Sequence, residues 1–108
     1  MTELRIKRGE EMLWQNMLKR KADRSAVDLT GYTASSQMRT YPAGNLVAEG
    51  ECTIDTETGT VLTLYTSDVT ERIGAGRYGF DVWLNHGGQK VCIDTVGVTV
   101  CERYTEEE

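Results

Sequence analysis

Histidine is nearly missing from this chain, with His86 the only one among 108 residues. General-base catalysis draws on histidine more than on any other side chain, and a Ser/His/Asp arrangement would need His86 to leave a glycine-rich turn and meet a distant serine. Catalysis of that kind is not expected. Cysteine is also sparse: Cys52, Cys92 and Cys101 form no C-x-x-C pair, so the spacing that marks a zinc site is lacking. The opening Met1-Thr-Glu-Leu-Arg-Ile-Lys-Arg alternates charge with hydrophobicity instead of presenting an apolar stretch before a cleavage site. A secretory leader is therefore not expected, and synthesis is placed in the cytoplasm. That setting and the odd cysteine count favour reduced thiols acting as small apolar side chains, with a pair across sheets left open. No apolar run approaches the ~20 residues of a membrane-spanning helix.

Positive charge is in deficit too, with 12 Lys and Arg against 17 Asp and Glu and a net charge of −5. A chain of this sign repels phosphate backbones, so nucleic acid is not an expected partner. The basic stretch Lys19-Arg20-Lys21-Ala22-Asp23-Arg24 reads as a solvated connection between strands. Asp55, Glu57, Asp68 and Asp94 lack the dense carboxylate ladder that calcium requires. Gly74-x-Gly76-x-x-Gly79 opens a strand and does not follow one into a helix, so it matches a dinucleotide fingerprint in letters only. No cofactor and no metal are expected.

What the sequence does have is period-two alternation. Leu4 and Ile6 share one face of a short first strand closed by Arg8-Gly9. Residues 10–20 fit either a helical stripe of Met12, Leu13, Trp14, Met17 and Leu18 or a strand face of Met12, Trp14 and Leu18; Gly9 and the lack of an N-cap favour the strand. In Asp28-Leu29-Thr30-Gly31 the Asp and Thr side chains bond nearby backbone, Leu29 plugs the core and Gly31 permits a sharp turn. Tyr32, Ala34, Ser36 and Met38 then alternate as far as Tyr41-Pro42. Leu46, Ala48, Cys52 and Ile54 share one parity, with Gly50 marking a bulge or bend. After a turn ending at Gly59, the strand from Thr60 to Thr66 is expected to put Leu62 and Leu64 on the core side. Ser67 to Ile73 suits one helical turn. Tyr78, Phe80, Val82 and Leu84 form the clearest strand face, and Trp83 points outward. Asn85-His86-Gly87-Gly88 is a hairpin connection, and Lys90 to Cys101 returns as one long strand or two short ones broken near Gly97.

Seven to eight strands joined by turns, with no long helix, predict an all-β antiparallel sandwich over residues 1–103 and an acidic tail over 104–108. The motifs Asp28-Leu29-Thr30-Gly31-Tyr32, Gly59-Thr-Val-Leu-Thr-Leu, Gly76-Arg-Tyr-Gly-Phe-Asp-Val-Trp-Leu and Val96-Gly-Val-Thr-Val resemble those of small bacteriophage and prophage structural domains of immunoglobulin-like type. The resemblance implies a non-catalytic tail, baseplate or surface component of a virion, assembled after synthesis in a bacterial cytoplasm. Its partners would be other virion proteins or copies of itself. Gly-x-Tyr-x-Phe also resembles the tyrosine-corner strand of immunoglobulin sandwiches, with Tyr78 at the corner and Phe80 where antibody domains place a cysteine.

Trp14, Tyr41, Trp83 and Tyr104 are more aromatic surface than so small a core absorbs, and they are the candidate interface. Two classes of role follow: a structural protein that self-associates or docks into a particle, and a module with an aromatic groove that binds carbohydrate or a host surface.

Overall fold

A computed structural model describes residues 2–102. Eight strands and one helix follow in the order β1 (Thr2–Lys7), β2 (Met12–Met17), β3 (Thr33–Thr40), β4 (Leu46–Glu49), β5 (Glu51–Asp55), β6 (Thr60–Tyr65), α1 (Ser67–Ile73), β7 (Gly76–His86) and β8 (Gln89–Cys101). They build a five-stranded sheet, β1-β8-β7-β3-β4, facing a three-stranded sheet, β2-β6-β5. Lettering the strands B to G from β2 onward gives B-E-D against G-F-C-C′, the immunoglobulin division of a sandwich. The sandwich is not wholly antiparallel as expected, because β1 runs parallel to β8 along the free edge of the larger sheet.

The core is made by alternation. In β7, Tyr78, Phe80, Val82 and Leu84 all point inward, and in β8 so do Val96, Val98 and Val100. Burying a side chain of this size stabilises by roughly 1.5–3 kcal/mol, so these two strands supply much of the driving force. They are joined by Gly87 and Gly88, with φ of 58° and 84°. Positive φ at both central positions is the geometry that matches strand twist in a two-residue hairpin. The register of β8 slips between the pairs Val82/Asp94 and Trp83/Cys92, leaving Ile93 as the extra residue. The irregularity therefore lies at Ile93 and not at Gly97, and β8 stays one strand because Gly97 keeps its pairing with Gly79.

The ambiguous segment is a strand: Met12 is buried, while Leu13 and Met17 on the other parity are exposed. In β6 the inward residues are Val61, Thr63 and Tyr65. Leu62 and Leu64 lie on the outer face beside Gln15 and Leu13 of β2, contrary to expectation. Parity was readable there, but which parity faces inward depends on the sheet opposite. Leu46 also turns outward, because the β3–β4 register shifts beside Met38 and gives the inner position to Val47.

Gly50 is where the chain passes from the larger sheet to the smaller. Its N–H donates to the Ser36 carbonyl at 2.9 Å, and a Cβ there would sit 2.9 Å from the Tyr65 ring. Only glycine lets the crossing backbone lie so close to that ring. Tyr65 is 1% exposed and shares a 2.7 Å hydrogen bond with Ser36, which ties β6 to β3 across the sandwich.

The stretch after β6 makes a seven-residue helix, longer than one turn, whose N-cap Thr66 gives no side-chain capping bond. It is held through Thr70, whose hydroxyl donates to the Glu10 carbonyl at 2.8 Å. Beyond α1, the Tyr78 hydroxyl donates to the carbonyls of Ile73 at 2.7 Å and Gly74 at 3.1 Å. That is the hydrogen bonding of a tyrosine corner, from the start of the F strand back to the E–F connection. Two residues on, Phe80 meets Trp14 of β2 edge to face at 6.3 Å. An aromatic pair thus bridges the strands that antibody domains join by a disulfide.

Candidate functional site

The outer face of the five-stranded sheet is not flat. Along β7 the outward residues are Arg77, Gly79, Asp81 and Trp83, and along β8 they include Thr95, Gly97 and Thr99. Register sets Gly79 beside Gly97, with Glu3 of β1 next to Gly97 and Arg39 of β3 next to Gly79. One row across the sheet therefore reads Glu3, Gly97, Gly79, Arg39, with bare backbone at its centre. The two glycines leave a groove of about 830 Å³ whose lining includes Trp83 towards one end and Tyr41 and Arg77 towards the other.

The two floor glycines differ in what lies above them. A Cβ on Gly79 would touch nothing closer than the Val96 carbonyl oxygen at 3.4 Å. A Cβ on Gly97 would meet the Glu3 carboxylate at 2.8 Å, so Glu3 already leans over that half of the floor. Arg77 approaches Glu3 at 4.0 Å between well-exposed groups, a contact worth little by itself. The same guanidinium lies 5.2 Å from the centre of the Tyr41 ring. Arg39 donates to the Gly44 carbonyl and to Gln37 Oε1, both at 3.0 Å, which fixes its guanidinium at the groove wall while leaving other N–H groups for a ligand. Glu3, Glu49 and Asp81 balance Arg39, Arg77 and Lys90 around the lining, so the groove is close to neutral although the chain as a whole is acidic.

Of the aromatic candidates, Tyr41 and Trp83 come together in this groove, 56% and 37% exposed. Trp14 does not join them. It is half-buried against Phe80, and its indole N–H donates to Asp94 Oδ2 at 2.9 Å, the same oxygen that accepts from Asn16 at 2.8 Å. The extra residue in β8 immediately precedes Asp94, whose carboxylate reaches across to β2, so Trp14 is a half-buried residue that packs against the core and links the sheets. Tyr104 lies outside the described residues.

The remaining candidates are structural. Asp28 Oδ1 accepts from the Thr30 hydroxyl at 2.7 Å and from its N–H at 3.0 Å, and these bonds hold the Asp28 carboxyl below the usual aspartate value. Leu29 is 1% exposed, and Gly31 turns the chain at φ 84°. Burial alone pushes the Tyr78 hydroxyl above its ordinary pKa. The cysteines are free thiols, half-buried at Cys52 and Cys101 and exposed at Cys92. His86 stacks on Tyr32 at 4.5 Å, at the far end of β7 from the tyrosine corner. Asp55 Oδ1 accepts from the Glu57 N–H at 3.0 Å within its turn. Among the described residues no three His, Cys, Asp or Glu side chains gather where a metal would bind.

Sequence reasoning missed Glu3, Arg39, Arg77, Gly79, Asp81 and Gly97 as one site. The available signal was the outward parity of Arg77, Gly79 and Asp81 beside Trp83; the pairing with Gly97 and Glu3 needs the register. Compared with protein-family models and with curated proteins, the chain matches none of either.

Proposed function

We propose that this chain is a non-catalytic assembly domain that works through protein–protein contacts made by the outer face of its five-stranded sheet. One observation carries the reading: Tyr41, Leu46 and Trp83, three of the exposed large apolar residues, share that face with a nearly balanced set of charges around the glycine floor. Aromatic anchors with arginine beside them are the composition of a protein interface core. Five strands at ~4.8 Å spacing and some eight residues of length present a face of roughly 600 Å², of the order of the ~800 Å² that each partner gives to a standard interface. The lining contains neither histidine nor cysteine, and its carboxylates and guanidinium groups suit recognition more than bond cleavage. The setting in a phage or prophage particle, as a tail, baseplate or surface component, rests on the motif resemblance alone.

A carbohydrate-binding module is the second reading, favoured by the placing of Trp83 and Tyr41 around a polar floor. Against it, Arg77 already occupies one face of the Tyr41 ring, which leaves less aromatic surface for a sugar to stack on.

Site-specific photo-crosslinking in the producing cell tests the proposal. A benzophenone residue in place of Ser35, on the groove, is expected to give protein adducts, whereas one in place of Thr53, on the outer face of the smaller sheet, gives few. Equal labelling from both positions, or adducts only from Thr53, would overturn it.

A further inference from the structure

Resting on that reading, we infer that the occupant of the groove is a second copy of this chain, docked face to face about a two-fold axis that runs along the strands over the Gly79/Gly97 seam. The pattern of the row through the two glycines carries the inference. Strands β1, β8, β7 and β3 set Glu3, Gly97, Gly79 and Arg39 side by side. Rotation about an axis between β8 and β7 exchanges the two ends of that row. Glu3 of one copy then stands opposite Arg39 of the other, twice over, while at the centre the open Gly79 of one copy faces Gly97 of the other, over which the Glu3 carboxylate leans. A neighbouring row behaves alike: Trp83 and Cys92 are paired across β7 and β8, so the indole of one copy meets the exposed thiol of the other, a favourable sulfur–aromatic contact.

Each copy carries a net charge of −5, which opposes association between distant molecules. The groove escapes this because its own charges balance. The glycine seam matters for distance: aligned sheets normally pack ~10 Å apart because side chains fill the gap, and with Gly79 open and only the Glu3 carboxylate over Gly97 the polar pairs on either side can close. The outer face of the smaller sheet, with Leu13 and Met17 exposed, is the competing surface. Three strands of about six residues offer roughly 300 Å², well short of what a stable dimer buries on each partner.

Charge reversal tests this form of docking. Analytical ultracentrifugation of the reduced wild-type chain is expected to show a monomer–dimer equilibrium. Glu3→Arg alone or Arg39→Glu alone places like charges opposite each other at both ends of the row and is expected to weaken the dimer about tenfold or more. An equimolar mixture of the two single variants restores both attractive pairs and should form a heterodimer as tight as the wild type. Gly79→Val, whose Cβ would meet nothing nearer than the Val96 carbonyl oxygen at 3.4 Å, is expected to abolish dimerisation with the thermal transition intact, while Leu13→Glu leaves the dimer unchanged. A wild-type chain that stays monomeric at about 1 mM would overturn the inference, as would a dimer indifferent to both charge reversals or broken by Leu13→Glu. Because the crosslinking experiment reads any protein partner, a monomeric chain that still crosslinks from the groove would separate failure of self-docking from failure of the assembly role.

Discussion

Replacing Gly50 with alanine is expected to destabilise the domain, and by an amount the geometry bounds. The added Cβ would lie 2.9 Å from the Tyr65 Cζ, 3.0 Å from the Thr63 methyl and 3.1 Å from the Tyr65 Cε2, all inside normal contact distance. Neither neighbour has room to yield, since Thr63 is 0% and Tyr65 1% exposed and the Tyr65 hydroxyl is fixed by Ser36. Overpacking of this kind costs about 1–3 kcal/mol. Loss of backbone freedom in the unfolded chain returns about 0.4–1 kcal/mol, so the net loss is roughly 1–2 kcal/mol. For a domain of this size that corresponds to a fall in Tm of about 5–15 °C. Gly79→Ala is the internal control: its Cβ reaches only the Val96 carbonyl oxygen at 3.4 Å, and it is expected to be neutral or to stabilise by about 0.5 kcal/mol. Urea unfolding of the two variants beside the wild type measures both terms. Equal stability of Gly50→Ala and Gly79→Ala would refute the view that the sheet-to-sheet crossing is set by close approach to Tyr65.

Tyr78→Phe removes the donor to the Ile73 and Gly74 carbonyls and is expected to cost about 1–2 kcal/mol in urea unfolding, with exchange of the α1 amides accelerated. Burial pushes the Tyr65 hydroxyl up to about 12, against the partly offsetting bond to Ser36. The unfolded chain therefore releases this proton first, so the stabilising contribution is whole below pH ~10 and declines as pH rises from there towards about 12. Alkaline thermal scans should show that decline in the wild type, and Tyr65→Phe should lack this part of it. Asp28 shows the opposite sign: its lowered carboxyl contributes stability above the ordinary aspartate value and loses it as the pH falls through the folded midpoint, so the gap between wild type and Asp28→Ala should narrow in acid. Among the thiols, exposed Cys92 should alkylate first, and Cys52 slowly because burial raises its pKa, as timed iodoacetamide labelling read by mass spectrometry would show.

What could be read from the sequence were the features fixed by near neighbours in the chain. The inward face of β7 follows from strict alternation at Tyr78, Phe80, Val82 and Leu84, and the Asp28 turn from bonds that span two residues. The sandwich class followed from many such strands. The features that needed long-range pairing were harder. Leu62 and Leu64 looked like core because leucine is apolar, yet the larger sheet packs on the Val61, Thr63 and Tyr65 parity. Gly97 looked like a break because its partners, Glu3 and Gly79, lie far away in the chain. Trp14 looked like surplus surface because nothing local shows that Asp94 will receive its indole N–H. The groove was invisible for the same reason. Tyr41 and Trp83 were identified singly, but the floor between them exists only once four strands take their register.

The most direct test of the recognition face is a dilution series followed by backbone amide NMR, from about 1 mM down to the monomer. Shifts that depend on concentration and cluster at Glu3, Arg39, Gly79, Trp83, Cys92 and Gly97 are the expected result. Shifts confined to Leu13, Met17, Leu62 and Leu64, or none across the whole range, would contradict self-docking through the five-stranded sheet.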